Sequence, residues 1–180
     1  MGYTHYWRKP NGTDGMENAL PVIKDILNRY RDVIQYECDD NIDPVCNEEL
    51  IRFNGIGDEG HETFYFQSGK ENFSFCKTAR KHYDIVVCEC LIVLNYFIKD
   101  LEVSSDGMCG CLSDQEKMSL PGDCVDNTDG TWADAIFNVK EKYGIEYSAV
   151  CSEIRDPYFD WDLKFVSDKN LSKKIHWVHA

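Results

Sequence analysis

The chain has 180 residues, 43% of them hydrophobic and 13% aromatic, and a formal net charge of −13 at pH 7. This length and composition suit one folded domain with its own core. The negative charge disfavours partners that need a basic face, such as a nucleic-acid duplex or an anionic membrane surface. A small anionic ligand remains compatible, because a local basic cluster can act within an acidic chain.

The termini and cysteines predict a soluble, cytoplasmic protein. The opening MGYTHYWRKP lacks an apolar signal region, and the most apolar run, residues 85–98, is too short to span a bilayer. Nine cysteines without a signal fit a reducing compartment. Cys109, Cys111 and Cys124 share one loop, but no histidine lies near them. We therefore predict no metal site and no cofactor.

Apolar spacing predicts the elements in chain order. Strands are expected at 3–7, 50–55, 62–67, 73–76 and about 101–105, and helices at 20–36, 85–98 and 131–143. Pro21 is placed in the first turn of the first helix, and Asp84 is expected to cap the second. A long Cys-bearing loop or insertion covers about 106–130. The pattern predicts a single α+β domain over residues 1–180, a mainly antiparallel sheet with about three helices packed on it.

A glycine motif lies between the second and third predicted strands. Gly55, Gly57 and Gly60 have the G-x-G-x-x-G spacing of a dinucleotide-binding turn. A strand follows, however, where that turn requires a helix, and Asp58 and Glu59 would repel a phosphate. The motif therefore indicates the bend of a hairpin.

The ends of this hairpin carry polar side chains that could act on a ligand. Asn54, His61 and Glu62 flank the glycines, and His61 with Thr63 forms an H-x-T. Paired H-x-T motifs are typical of two-histidine phosphoesterases, in which one histidine acts as base and the other as acid. A second copy is lacking here. His61 is therefore interpreted either as an acid or base with Glu62 as its partner, or as an ordinary exposed histidine.

A basic segment, CKTARK, precedes the second helix. Lys77, Arg80 and Lys81 lie within five residues, and Thr78 adds a hydroxyl. A helix start offers free backbone N–H groups, and an arginine can bind phosphate or carboxylate with two hydrogen bonds. The segment predicts an anion pocket; the alternative is a set of solvated charges that balance the acidic surface.

Two further segments are expected to line the same pocket. VSSDG places Ser104, Ser105 and Asp106 at a strand end, where they form either a ligand-binding turn or an ordinary Asx turn. The N-terminal strand contributes His5, Tyr6 and Trp7, whose rings either stack on a ligand or belong to the core. Aromatics near cations and hydroxyls favour a nucleotide-like ligand.

Taken together, MGYTHYW, RFNGIGDEGHETF, FCKTARK and VSSDG resemble a family of small bacteriophage proteins without an assigned reaction. The resemblance covers roughly the first 107 residues and the third predicted helix. A proline commonly stands in that family where His82 stands here, and the Cys-rich loop looks like a local insertion. The resemblance implies a viral origin and action in a host cytoplasm.

Three functions follow as hypotheses. The first is a phage protein that sequesters a small phosphorylated or nucleotide-like molecule, as an antagonist of host defence. The second is a hydrolase or transferase for such a molecule, with His61 as acid or base. The third is an acidic inhibitor that binds a protein. Whether the chain is an enzyme and whether it forms a homo-oligomer stay open.

Overall fold

A computed structural model describes residues 3–9, 15–38, 41–69, 72–107, 130–151 and 163–167. Most of the predicted Cys-bearing loop at 106–130 lies outside these ranges. The strands are β1 Thr4–Lys9, β2 Ile34–Gln35, β3 Val45–Cys46, β4 Leu50–Gly55, β5 Phe64–Gln67, β6 Asn72–Lys77, β7 Glu102–Ser105, β8 Tyr147–Cys151 and β9 Leu163–Ser167. The helices are α1 Met16–Arg29, α2 Asp84–Phe97 and α3 Gly130–Tyr143, with a short 3₁₀ turn at Gly57–Glu59.

All the described strand pairs are antiparallel. The first sheet has the order β6-β1-β7, so that the N-terminal strand lies in its centre. In the second sheet β4 pairs with β2, β3 and β5, and β8 pairs with β9 as a separate ribbon. With three helices beside these sheets, the predicted α+β class is confirmed.

The core forms around α2, which is largely apolar on every side although it contains the buried Glu89. Its residues from Val86 to Leu94 are all buried, and α1 and α3 both pack against it. A helix that is hydrophobic all round is stable only when its neighbours cover every face. No helix among the described residues is both long and apolar enough to cross a membrane.

Two boundaries differ from the sequence prediction. The first helix begins at Met16, after Gly15 in a left-handed conformation, and ends at Arg29, which places Pro21 inside it. The apolar spacing continues to Ile34 because that residue pairs with Gly55 in β2, where it is buried as a strand residue. Asp84 is the first residue of α2 and makes no cap, since its carboxylate is used elsewhere.

The glycine motif is the bend of the β4–β5 hairpin, as predicted. Phe53 and Phe64 are opposite each other in the register, and the loop closes between them. A Cβ on Gly55 would overlap the carbonyl group of Glu59, and one on Gly60 would overlap the thiol of Cys38. These close approaches explain why glycine is required at both positions, with no need for a bound phosphate.

Candidate functional site

A buried chain of hydrogen bonds, the His5 network, joins the inner face of the first sheet to α2. It comprises His5, Thr78, Asp84, Ser105 and Trp132. His5 Nε2 lies 2.6 Å from Asp84 Oδ1, and the Thr78 hydroxyl donates to the same oxygen at 2.5 Å. Ser105 Oγ lies 2.8 Å from His5 Nδ1. His5 is fully buried and Asp84 nearly so, while Ser105 is half-buried.

The donors around Ser105 fix the direction of this chain. Its Oγ accepts the indole N–H of Trp132 and the backbone N–H of Gly107, both at 3.0 Å. A hydroxyl has two acceptor lone pairs and one proton. The lone pairs are used, so the proton is donated to His5 Nδ1. The histidine therefore carries its own proton on Nε2 and donates it to Asp84.

The same region contains three atoms of the kinds that bind zinc. His5 Nε2, an Asp84 oxygen and Cys88 Sγ all lie within 4.8 Å of one another, and all three residues are buried. Zinc commonly takes nitrogen, oxygen and sulfur ligands. To bind it, Nε2 would have to lose its proton and Nδ1 would have to donate to a hydroxyl whose lone pairs are occupied. The hydrogen bonds therefore favour a proton relay over a metal centre.

A second group, the His61 cluster, joins the predicted hairpin residues Asn54, His61 and Glu62 to Lys77 at the end of β6 and to Tyr83, which was not predicted as a site residue. His61 Nδ1 lies 2.9 Å from the Lys77 carbonyl oxygen, which can only accept, so Nδ1 carries the proton and Nε2 is the acceptor. Glu62 Oε2 accepts the Lys77 backbone N–H at 2.8 Å. Tyr83 donates to the Glu62 carbonyl at 2.7 Å, and burial raises the pKa of this phenol far above its usual range.

Asn54 has a structural role within the hairpin loop. Its Oδ1 accepts the backbone N–H groups of Gly55 at 2.8 Å and His61 at 3.1 Å. Its Nδ2 donates to the His61 carbonyl at 3.0 Å and the Thr63 hydroxyl at 3.1 Å. Because both ends of the amide are already engaged, Asn54 shapes the loop and has little capacity left for a ligand.

The basic segment faces the acidic hairpin loop. Lys81 Nζ donates to the Asp58 carbonyl at 2.8 Å, and His82 Nδ1 lies 3.2 Å from a Glu59 oxygen. Lys77 Nζ lies 3.8 Å from Glu62. Thr78, predicted beside an anion, is instead buried in the His5 network. These contacts agree more closely with balancing charges than with an assembled phosphate pocket.

Arg80 occupies a strained turn between β6 and α2. Ala79 and Arg80 have φ values of 50° and 57°, and the Lys81 N–H bonds to the Thr78 carbonyl at 3.0 Å. Consecutive left-handed residues characterise a type I′ turn, which glycine and asparagine normally occupy. The turn places the Arg80 guanidinium 3.9 Å from the centre of the Tyr3 ring.

The outer face of the first sheet carries an exposed group of rings, the aromatic face: Tyr6, Phe73 and Phe75. The exposed fractions of Phe73 and Phe75 are 57% and 49%. Tyr6 is opposite Phe75 in the register and stacks on Phe73, with 6.3 Å between ring centres and 18° between ring planes. Trp7 points to the other side and packs on Phe64 in the core.

Polar groups surround these rings. Lys77 Nζ lies 5.6 Å from the centre of the Phe75 ring, and Ser104 is opposite Tyr6 on β7. The Tyr6 hydroxyl donates to Asp106 at 3.3 Å, and Asp106 also accepts the Thr4 backbone N–H at 2.9 Å. A cleft of about 140 Å³ adjoins the face, lined by Tyr6, Trp7, Arg8, Phe73, Glu102, Val103 and Ser104.

The sheet register thus divides the predicted site residues into groups. His5, Thr78 and Ser105 meet in one buried network, and His61, Glu62 and Lys77 meet beside it. Tyr6 and Ser104 lie on the opposite face, together with Phe73 and Phe75, which the sequence reasoning missed. The only sequence feature that marks Phe73 and Phe75 is the F-S-F spacing. It indicates a ligand surface only when the position of Tyr6 on the neighbouring strand is known.

Comparison with protein-family models, curated proteins and solved structures finds no match to this chain, so its site is interpreted from its own geometry.

Proposed function

We propose that the protein binds a small nucleotide-like molecule on the aromatic face. The observation that carries this proposal is the exposure of Phe73 and Phe75 on one strand, with Tyr6 beside them on the next. Large aromatic side chains are normally buried, so a group of exposed rings marks a surface that contacts something.

A flat ring system suits this surface better than a protein does. Aromatic residues at alternate positions on one strand, with another on the adjacent strand, form a stacking platform on a sheet, an arrangement that nucleic-acid-binding sheets use for bases. Each base stacked on an aromatic ring contributes about 1–3 kcal/mol. The cleft beside Phe73 is small, about 140 Å³, which fits part of one ligand.

Charge favours a small ligand over a polymer. A strand of nucleic acid would bring many phosphates to a chain whose net charge is −13. One or two phosphates need only a local cation, and Lys77 lies at the edge of the aromatic face, with Arg8 on the neighbouring strand. The wider proposal, a phage protein that sequesters a nucleotide signal of host defence, rests on the sequence resemblance alone.

Equilibrium dialysis against a panel of mono-, di- and cyclic nucleotides tests the proposal. Phe73→Ala and Phe75→Ala should each weaken binding about 5- to 150-fold, the range that corresponds to one lost stacking contact. Phe137→Ala is the matched control, because Phe137 is 63% exposed on α3, away from the aromatic face. Unchanged affinity in both test variants would overturn the aromatic face as the binding site. No binding by the native protein would overturn the proposal and favour the acidic protein-binding inhibitor.

A second candidate function, hydrolysis or transfer with His61 as base, has one observation in its favour. The hydrogen bond to the Lys77 carbonyl leaves Nε2 of an exposed histidine as an acceptor, the state that a general base requires. Recovering the nucleotide after denaturing the complex separates the two functions. Intact ligand supports sequestration; altered ligand whose turnover is lost in His61→Ala, with binding retained, supports catalysis.

A further inference from the structure

We infer that Ser105 is a nucleophile activated by His5, with Asp84 as the residue that positions the histidine, and that its substrate is a small neutral carboxylic ester. This site lies on the inner face of the first sheet, opposite the aromatic face, so it is independent of nucleotide binding. Serine, histidine and aspartate in series form the arrangement used for nucleophilic attack by a hydroxyl.

The direction of these hydrogen bonds places the proton where this chemistry needs it. Ser105 donates its hydroxyl proton to His5 Nδ1 at 2.8 Å, and His5 donates from Nε2 to Asp84 at 2.6 Å. Either imidazole nitrogen can act as the base when the other is held by a carboxylate. Thr78 and the burial of Asp84 hold that carboxylate in one orientation.

Two N–H donors hold the Ser105 hydroxyl in position. The Trp132 indole and the Gly107 amide both donate to Oγ, so attack on the acyl carbon requires one of these two donors to release its lone pair. Asp84 Oδ2 has no hydrogen-bond partner among the described residues, so the carboxylate keeps capacity to stabilise a histidinium. The network can therefore stabilise a positively charged His5, which a purely structural core would not need to do.

The surroundings of Ser105 limit the substrate. The side chain is half-buried, which restricts access to small acyl groups. The buried Asp84 carboxylate, which reaches Ser105 through His5, disfavours an anionic substrate such as a phosphate monoester but tolerates a neutral carbonyl.

The reaction balances without any redox partner. The Oγ–H bond breaks and its proton moves to His5 Nδ1 while Oγ forms a bond to the acyl carbon. The ester C–O bond breaks, and the leaving alkoxide takes the proton from His5. Water then hydrolyses the acyl-serine, with His5 again accepting and returning a proton, and releases the carboxylic acid.

Incubation of the full chain with p-nitrophenyl acetate tests this inference. We expect a burst of p-nitrophenolate, one acetyl group added per chain in intact mass, and peptide mapping of that group to Ser105. The burst should be lost in Ser105→Ala and slowed more than tenfold in Asp84→Asn. Ser74→Ala is the matched control, since Ser74 is half-buried on the same face of the sheet but outside the network.

A second measurement uses the native protein, because Ser105→Ala removes a partner from three groups and can itself unfold the chain. The native protein unfolded in urea should lose the burst, whereas merely exposed nucleophiles would keep it. Acetylation at lysines alone, equal reactivity in folded and unfolded chains, or no acetylation of the folded native protein would each overturn the assignment. Loss of the burst on adding a chelator would also overturn it, by showing that a metal at His5 is required.

Discussion

Glu89 is the buried charge that connects the three helices, and its removal gives the sharpest stability prediction. The side chain is fully buried in α2. Its carboxylate accepts from the Arg29 guanidinium, from the Tyr30 hydroxyl at 2.8 Å and from the Asn138 amide at 3.0 Å. Glu89→Ala therefore removes the acceptor of three donors: Arg29 in α1, Tyr30 at the C-terminal end of α1, and Asn138 in α3.

The loss in free energy of unfolding depends on how exposed Arg29, the charged partner of Glu89, is. Breaking a buried ion pair by removing one member costs about 3–5 kcal/mol. The Arg29 side chain is 21% exposed and lies 4.0 Å from Asp25, so water and a second carboxylate compensate part of its charge. We expect the lower end, about 3 kcal/mol, a large part of the roughly 5–15 kcal/mol of a typical domain.

Urea unfolding followed by far-ultraviolet circular dichroism measures this loss. Glu89→Gln should lose about 2 kcal/mol, because its amide oxygen still accepts hydrogen bonds while its NH₂ faces the Arg29 donors. Arg29→Met combined with Glu89→Leu should recover part of the loss, since an apolar pair of similar volume leaves no buried charge unpaired. A change below about 0.5 kcal/mol in both Glu89→Ala and Glu89→Gln, the range of ordinary surface substitutions, would refute the reasoning.

Three further predictions concern other parts of the structure. Burial and the bond to Glu89 raise the pKa of Tyr30 from 10.0 to about 12, so its contribution to stability is complete below pH 10 and is lost as the pH rises through 12. Tyr30→Phe should flatten the pH dependence of the unfolding midpoint in that window, and an unchanged slope would contradict this. Asn54→Ala should cost about 2 kcal/mol by thermal unfolding and speed hydrogen exchange in the hairpin loop, because buried donors and acceptors lose their partners; exchange unchanged there would argue against its structural role. Ala79→Gly should raise the free energy of unfolding by about 0.5 kcal/mol and therefore raise the urea midpoint. The strain of a left-handed alanine, about 1–2 kcal/mol, exceeds the entropy cost of glycine. A lower midpoint would contradict the strain.

Local patterns predicted most of the fold. The alternation in LIRFNG and ETFYF and the apolar run of α2 are short-range signals, and each of these elements is present. The end of α1 was wrong because the apolar spacing through Ile34 fits both a helix and a strand that buries one face. Only the pairing of Ile34 with Gly55 decides between them, and that pairing is a long-range contact.

The site was predicted in its parts but not in its arrangement. His5, Thr78 and Ser105 were all selected, yet for a surface pocket, whereas they form a buried network. The residue that joins them, Asp84, was assigned to helix capping because an aspartate before an apolar run usually caps. His5 lies 79 residues from Asp84 and 100 from Ser105 in sequence, so no local spacing connects them.

The alternation of the first sheet relates the two proposals to one another. On β1, His5 and Trp7 face inward while Tyr6 and Arg8 face outward, and on β7 Ser105 faces inward while Ser104 faces outward. A slip of one residue between these strands would exchange the two sets completely. Two hydrogen bonds between Asp106 and Thr4 hold this register at the strand ends: the Asp106 backbone N–H donates to the Thr4 carbonyl, and the Asp106 carboxylate accepts the Thr4 backbone N–H. Asp106→Ala should therefore weaken nucleotide binding and Ser105 acylation together, whereas Phe75→Ala should affect only the first. If Asp106→Ala changed neither, the two faces would not depend on this contact for their register.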